Sequence, residues 1–462
     1  MRYRISEIVV EARRPVVLTG GAAAVETDVD SLPLRANATA EDVLRSVPLL
    51  HVRTNSRGEA EISARGSESR QVAVLIDGVP ITLAWDARAD LSVVPATAWQ
   101  EITFVRGLSS MLHGPNVLGG VVEISSGRIF EQPERASAEI TLGADHVGGF
   151  GSTLTGVLPW SNGSGKWLLR AGTGFRDSPG LPLADGIQEP VETDDDLRLN
   201  TDASGRDAFL AARYASKDGL WLSGLGSMSR EKRGIAPELG LSDEDARLWR
   251  YPVVSRGLVV LSGGTGMRSS PFGGQGDIEV GLGLNRGRTE IDQYASRAYG
   301  EVVGFENGED RTLTARLLAG QSIGGSGHLR AALTMADIHY DEILTGGTSE
   351  YQQRLTSGGL ETTWRVIRSS DLALTLTAGG AYDAASTPKT GGRPSLDRIS
   401  EWGGRAGGTL ALDDGETVFH GGISRRGRFP ALRELYSGAL NRFEPFNDVH
   451  FSSPIGFVFP TA

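Results

Sequence analysis

Val72-Ala73-Val74-Leu75-Ile76-Asp77-Gly78-Val79-Pro80 is a short apolar run closed by Asp-Gly, with Pro two positions later. It reads as a buried strand ending in a tight turn, because Gly supplies the positive φ and Pro cannot continue a central strand. Upstream stands Ile62-Ser63-Ala64-Arg65-Gly66. Downstream stand Ile102-Thr103-Phe104-Val105-Arg106-Gly107 and His113-Gly114-Pro115-Asn116-Val117-Leu118-Gly119-Gly120-Val121-Val122-Glu123-Ile124. Taken alone, these segments fit a small α+β domain with Arg-Gly and Asp-Gly turns.

In that order and spacing, the four segments over residues 40–127 closely resemble the plug domain of TonB-dependent outer-membrane receptors. The residues that carry the resemblance are Arg65, Gly66, Asp77, Gly78, Arg106, Gly107, Gly114, Gly119 and Gly120. The resemblance implies a mainly β fold, with a small α+β plug followed by an antiparallel transmembrane β-barrel. It also implies that Arg65 and Arg106 face the barrel wall and pair with its carboxylates. The plainer reading makes both solvated turn residues. A buried unpaired arginine is costly, so pairing is expected if the plug is enclosed.

Composition sets bounds. The chain of 462 residues is long enough for more than one domain. Its 62 glycines disfavour long helices and favour strands and turns. Cysteine is absent, which excludes disulfides, thiolate metal sites and cysteine catalysis. A formal net charge of −11 argues against a general nucleic-acid-binding surface. No apolar run approaches the roughly 20 residues of a membrane helix, so a closed barrel is the remaining way to cross lipid.

The amino terminus shows no apolar segment of a secretory signal; the expectation is a mature form or a true start further upstream. Glu7, Ile8, Val9, Val10, Glu11 and Ala12 resemble the TonB box, the extended segment gripped by the energy-coupling protein TonB. A β-branched stretch between polar ends suits addition to a partner sheet through main-chain hydrogen bonds. An ordinary first strand is the alternative. Arg13-Arg14-Pro15 stops it, and the Ala/Gly/Asp-rich stretch to about Leu32 reads as a mobile linker. The expected division is 1–32 TonB box and linker, 33–130 plug, and 131–462 barrel.

Within the plug, Thr39 and Asp42 predict a capped helix ended by Pro48. Residues 51–53 and 61–63 predict a hairpin around Asn55-Ser56-Arg57-Gly58. Residues 72–76 are expected as the central strand, 95–100 as a short helix, and 121–124 as the strand closing the sheet. So small a domain needs an enclosing wall to stay ordered.

From about Arg135 the pattern becomes two-residue alternation. Ile278, Val280, Leu282 and Leu284 alternate with Asp277, Glu279, Gly281, Gly283 and Asn285; Leu313, Ala315 and Leu317 alternate with Thr312, Thr314 and Arg316. A soluble sandwich alternates too. Here short links near 162–163, 216–219, 322–326, 369–370 and 413–415 interleave with long ones near 177–205, 230–254, 287–309, 341–350 and 384–397, as in an outer-membrane barrel. Roughly 13 strands are expected, against about 22 in plugged transporters. Arg428-Phe429-Pro430-Ala431-Leu432-Arg433-Glu434-Leu435-Tyr436-Ser437 resembles a loop segment of the family, whereas the sequence after Pro445 departs from it. An incomplete, truncated or frame-shifted barrel is therefore the expectation.

Catalytic motifs are not found. Gly163-Ser164-Gly165-Lys166 lacks the following Ser/Thr of a phosphate loop and reads as a hairpin turn. Asp194-Asp195-Asp196 with Asp202 suits calcium or, more plainly, a solvated acidic loop. Trp160, Trp167, Trp221 and Trp364 suit either an interfacial girdle or core packing. No enzyme activity, metal or cofactor is expected. The resemblance implies an outer-membrane receptor that imports a scarce nutrient, a ferric siderophore, another iron chelate or cobalamin, driven by TonB. A non-transporting fragment of such a receptor and a soluble β-rich binding protein are the alternatives.

Overall fold

Asp77 and Gly78 both have positive φ, 44° and 77°. That is the backbone of a two-residue hairpin matched to right-twisted strands, and glycine takes the second position without strain. In the computed structural model, residues 2–4, 23–29, 32, 34–48, 50–64, 66–92, 94–106, 110–126, 135–187, 189, 196–344, 346–369, 371–412, 417–437 and 456–458 are described. The inner domain comprises β1 (Arg2–Arg4), β2 (Ala23–Asp28), α1 (Ala40–Arg45), β3 (Leu50–Thr54), β4 (Ala60–Ala64), β5 (Val72–Ile76), β6 (Val79–Ile81), β7 (Glu101–Arg106) and β8 (Gly120–Ser125). Its main sheet runs β1-β2-β7-β8-β5-β6, and β3 with β4 form a separate hairpin.

The turn at Asp77-Gly78 folds β5 back as β6, with Ile76 opposite Val79. On its other side β5 pairs in parallel with β8, from Val72–Gly120 to Ile76–Ile124. β5 is thus an interior strand, as expected, lying between β8 and the shorter β6. The linker expected up to Leu32 gives way at Ala23–Asp28 to a strand that pairs along the whole of β7. Val25 and Thr27 turn into the core, and the edge of β7 is covered. The Thr39 backbone N–H donates to Asp42 Oδ2 at 2.8 Å, closing the first turn of α1 as expected, and Val43 and Leu44 are buried. The expected helix at 95–100 is a single 3-10 turn at Ala96–Ala98.

The wall is one antiparallel sheet in chain order. It comprises β9 (Ser137–Ala144), β10 (Phe150–Ser161), β11 (Gly165–Ser178), β12 (Ala203–Ser216), β13 (Trp221–Gly234), β14 (Trp249–Gly264), β15 (Arg268–Ser269), β16 (Gln275–Tyr294), β17 (Val302–Ile323), β18 (Gly327–Leu344), β19 (Gly347–Arg368), β20 (Leu372–Thr390), β21 (Ile399–Leu412), β22 (Thr417–Arg425) and β23 (Gly456–Val458). β15 pairs only with β16; the other fourteen follow one another from β9 to β23, and among the described residues those two edges do not meet. A five-residue helix, α2 (Leu432–Tyr436), lies between β22 and β23.

The long loops expected at 287–309 and 341–350 are largely strand, and that at 384–397 is half strand. β16 to β20 have 18 to 22 residues each, and only residues 345–346 separate β18 from β19. About 9–11 residues cross a bilayer, so these ladders continue well beyond one span. Their polar ends remain in register, as at Asp341–Glu350, which satisfies the backbone without apolar side chains.

The two faces of the wall invert the order of a water-soluble core. Ile278, Val280, Leu282 and Leu284 are 40–50% exposed, whereas Glu279 between them is 7% exposed. On β17, Leu313 and Leu317 face out while Thr312, Thr314 and Arg316 are buried against the inner domain. A soluble sandwich would bury the apolar set; a lipid-facing barrel exposes it. Trp160 and Trp167 stack at 5.3 Å, and Trp167 packs on Tyr214 at 4.5 Å, on the outward face beside the 162–164 turn. An outward aromatic cluster beside a short turn suits an interfacial girdle.

Contact between the two parts is close. A Cβ added at Gly283 would lie 2.6 Å from a methyl of Val79, so the β5–β6 hairpin packs directly on the backbone of β16. The core of the inner domain extends onto Phe209, Leu225, Leu258 and Val260 of β12 to β14. Two changes on neighbouring residues of β16 should therefore separate the faces. Leu282→Lys, at a cost of about 2–4 kcal/mol in lipid, should reduce the amount of membrane-inserted chain. Gly283→Leu should insert normally but leave the inner domain open to added protease. Similar insertion defects in both would contradict the assignment of faces.

Candidate functional site: the junction of plug and wall

The junction is built at two depths. Nearer the short-turn rim, Asp77 is 1% exposed and receives the Ser126 backbone N–H at 3.0 Å and the Ser126 hydroxyl at 2.5 Å. Arg213 of β12 reaches the same carboxylate at 2.9 Å, and Ser223 of β13 at 3.3 Å. The carboxylate at the hairpin turn is thereby both a turn residue and a wall contact. Beside it, Arg316 of β17 donates to the Gly78 carbonyl at 2.6 Å and the Leu112 carbonyl at 3.1 Å. Arg170 of β11 donates to the Ser126 carbonyl at 3.2 Å. Glu361 of β19 accepts the backbone N–H of Met111.

Nearer the long-loop rim stands a second cluster, on the β3–β4 turn and the loop at 82–92. Asn55 Oδ1 accepts the backbone N–H groups of Arg57 and Glu59, which shapes that turn. Arg88, 5% exposed, contacts Glu59, Glu61 and Asp86. Arg57 reaches Glu306 of β17 at 3.0 Å, and Arg233 of β13 donates to Ser92 Oγ at 2.9 Å. Trp85 stacks on Tyr340 at 4.6 Å, and Tyr351 stacks on Tyr436 at 5.7 Å. Between these side chains lies a cavity of about 50 Å³, bordered by Arg57, Trp85, Asp86, Asp310, Tyr340 and Arg433. Its lining offers guanidiniums, carboxylates and aromatic faces together, suited to holding a polar ligand group.

The residues expected from the sequence fall unevenly across this junction. Asp77 and Gly78 are at its centre. Gly66 and Gly114 have positive φ, 80° and 92°, after β4 and after the turn at Met111–His113. Gly119 donates to the Gln71 carbonyl at 2.8 Å, and Gly120 opens β8. Arg65, Gly107 and the side chain of Arg106 lie outside the described residues, as do Glu7, Ile8, Val9, Val10, Glu11, Ala12, Asp194 and Asp195. Asp202 pairs with Arg250 at 2.5 Å. Among the described residues no group of three or more His, Asp or Glu side chains is arranged to hold a metal. Sequence reasoning missed Arg213, Arg316, Asp86 and Arg88. The polar positions of the alternating strands were the available signal, without a way to say which would meet the plug.

Burial alone would raise the pKa of Glu59. Arg88, Arg57 and the Asn55 amide outweigh it and hold the carboxyl below its ordinary 4.5. Burial acts likewise on Glu434, and is outweighed by Arg428 and the Ala431 backbone N–H. A lowered folded-state pKa stabilises the fold in full above the unfolded value and is lost as pH falls through the folded one. Backbone exchange at 55–61 and 431–437, corrected for its intrinsic pH dependence, should thus speed up below about pH 4.5 and stay level from pH 6 to 7. Separately, Arg213→Met leaves the buried Asp77 without its guanidinium. It should lower the unfolding free energy of the inner domain, measured in the whole chain, by about 3 kcal/mol. Unchanged stability would remove Arg213 from the junction.

The family described as TonB-dependent Receptor Plug Domain matches residues 19–121. A vitamin B12 transporter BtuB of Photobacterium profundum is 33% identical over 172 residues, covering 37% of this chain and 26% of that protein. A vitamin B12 transporter BtuB of Vibrio vulnificus is 36% identical over 91 residues, 19% of this chain and 15% of the relative. The alignments thus span about a quarter or less of these relatives. Among solved structures, the copper transporter OprC superposes with a TM-score of 0.68 at 14% identity, over 89% of this chain and 63% of that one. The FrpB iron transporter of Neisseria meningitidis (F3-3 variant) gives 0.67 at 12% identity, over 90% and 67%. At these identities the superpositions speak for the fold, and the family match speaks for residues 19–121. With its plug seated against a polar-in, apolar-out wall, the chain carries a TonB-dependent receptor plug domain and shares the fold of these transporters.

Proposed function

We propose that the chain serves ligand-gated import across the bacterial outer membrane, binding a scarce nutrient over the plug and drawing energy from TonB. The observation that carries this reading is the mixed aromatic and charged cavity at Trp85, Asp86 and Tyr340, beneath the long-loop rim and bordered by plug and wall together. A ligand held there touches both parts at once, as gating requires. Cobalamin is the first substrate to test, since the curated relatives are vitamin B12 transporters; an iron chelate is the second, in line with the iron transporter of similar fold. Arg65 and Arg106 are proposed as further plug–wall contacts, and Glu7, Ile8, Val9, Val10, Glu11 and Ala12 as the segment TonB grips by strand addition.

A specific observation favours a second reading for residues 1–462 taken alone. The sheet has two unjoined edges among the described residues, and each edge group exposed to hydrocarbon costs several kcal/mol. By that reading these residues bind ligand and do not transport it.

Two measurements test the proposal. Cells without their own cobalamin receptor, expressing the chain, should bind radiolabelled cobalamin or, failing that, a ferric siderophore at the surface; binding of neither would remove the receptor reading. Val9→Pro deletes a backbone donor from the amino-terminal segment and should abolish crosslinking to TonB while leaving surface binding intact. Crosslinking at undiminished yield would exclude strand addition there.

A further inference from the structure

Residues 426–436 leave the end of β22 and turn inward, and they bond to wall and plug in alternation. Arg426, 1% exposed, makes a bidentate pair with Asp383 of β20, both contacts at 3.1 Å. The same guanidinium donates to Ser357 Oγ of β19 and to the plug carbonyl of Ser110, each at 3.3 Å. The Phe429 backbone N–H donates to plug Asn116 Oδ1 at 2.7 Å, while the Pro430 carbonyl accepts from Gln353 of β19 at 2.9 Å. The Arg433 backbone N–H then donates to the Trp85 carbonyl at 2.8 Å, and its side chain reaches Asp86 at 3.1 Å. At the far end, the Tyr436 and Thr387 hydroxyls lie 2.7 Å apart.

Two features make the segment a unit rather than a passing loop. Its charged pair is internal: Arg428 holds Glu434 with bonds of 2.7 and 2.9 Å, and Glu434 also accepts the Ala431 backbone N–H at 2.8 Å. Two of its apolar side chains are fully covered, Phe429 at 1% and Leu432 at 0% exposure. On the plug side Asp86 is a junction, taking Arg433 on one oxygen and Arg70, from the turn before β5, on the other. Arg88 also contacts Asp86, at 2.8 Å.

We infer that residues 426–436 form a strap that positions the outer loop of the plug, 82–92, against the wall, with Arg433 as the positioning residue acting through Asp86. The strap deepens the import reading by naming what holds the plug beside the cavity; its test needs no ligand or transport, so the two fail separately. A guanidinium–carboxylate contact of this kind is directional, so it fixes where the loop sits as well as whether it stays.

Hydrogen–deuterium exchange on the purified full chain in detergent micelles tests this. Arg433→Met keeps the bulk of the side chain and removes the charge. Exchange at 82–92 should rise about tenfold, with wall residues 350–360 unchanged. Arg433→Lys should bring the rate back to within about threefold of the original, because a point charge can still reach Asp86. Asp86→Asn approaches the contact from the plug side and should raise exchange at 427–437; it decides the matter if Arg433→Met does not fold. Unchanged exchange at 82–92 in Arg433→Met together with unchanged exchange at 427–437 in Asp86→Asn would overturn the strap. So would a rise of equal size in the wall, which would mean general loosening.

Discussion

Guanidinium groups of the wall strands and of the strap end on oxygens of the plug, and the arrangement of both parts depends on them. Arg213 meets Asp77, Arg316 meets the Gly78 and Leu112 carbonyls, and Arg426 meets the Ser110 carbonyl. Buried ion pairs contribute little net stability compared with well-packed apolar side chains, because desolvation offsets the attraction. What they add is register. An arginine offers a rigid fork of donors, and an unmet fork in a buried place is costly, so one seating of the plug is favoured over its neighbours. The apolar seat on Phe209, Leu225, Leu258 and Val260 supplies attraction on one side. Leu112 on Leu318 and Ala332, Val79 on Gly283, and Trp85 on Tyr340 add smaller apolar seats, and the polar bonds lie between them.

That polar inner face is possible because the wall turns its apolar side chains outward. Period-two alternation places Glu279 and Arg316 inside and Leu282 and Leu317 outside on adjacent strands. The same alternation lets the backbone of β16 lie bare against Val79, since the lumen position there is Gly283. Packing, polarity and orientation of the plug thus follow from one strand pattern. The site at the long-loop rim depends on the unusual length of β16 to β20, which carries Glu306, Tyr340 and Tyr351 up to the level of Trp85.

The parts of this arrangement that are local in sequence were legible there. Asp77-Gly78 specifies its own turn, Thr39 and Asp42 specify a helix start, and alternation at 277–285 gives the correct faces. Errors arise where partners are distant. Ala23–Asp28 has no strong strand signal and becomes a strand because β7 offers an open edge. The wall partners of the plug lie 136 residues away for Asp77 and Arg213, and 316 for Ser110 and Arg426. Which lumen arginine meets which plug oxygen depends on the register of every strand between them, and no short motif encodes that. Strand length was underestimated because polar residues above the bilayer level look like loop in sequence while their backbones still pair across the sheet.

On β16 the apolar face is exposed and the other face lies against the plug, so in a membrane the two should meet different surroundings. The chain contains no cysteine, so single cysteines at 278 to 284 can be read one at a time without background. In reconstituted membranes, probes at 278, 280, 282 and 284 should be quenched by a lipid-soluble nitroxide, and those at 279, 281 and 283 should be shielded from both lipid-soluble and water-soluble quenchers. A two-residue period in that phase supports the account. Uniform quenching along the strand, or the opposite phase, would contradict it.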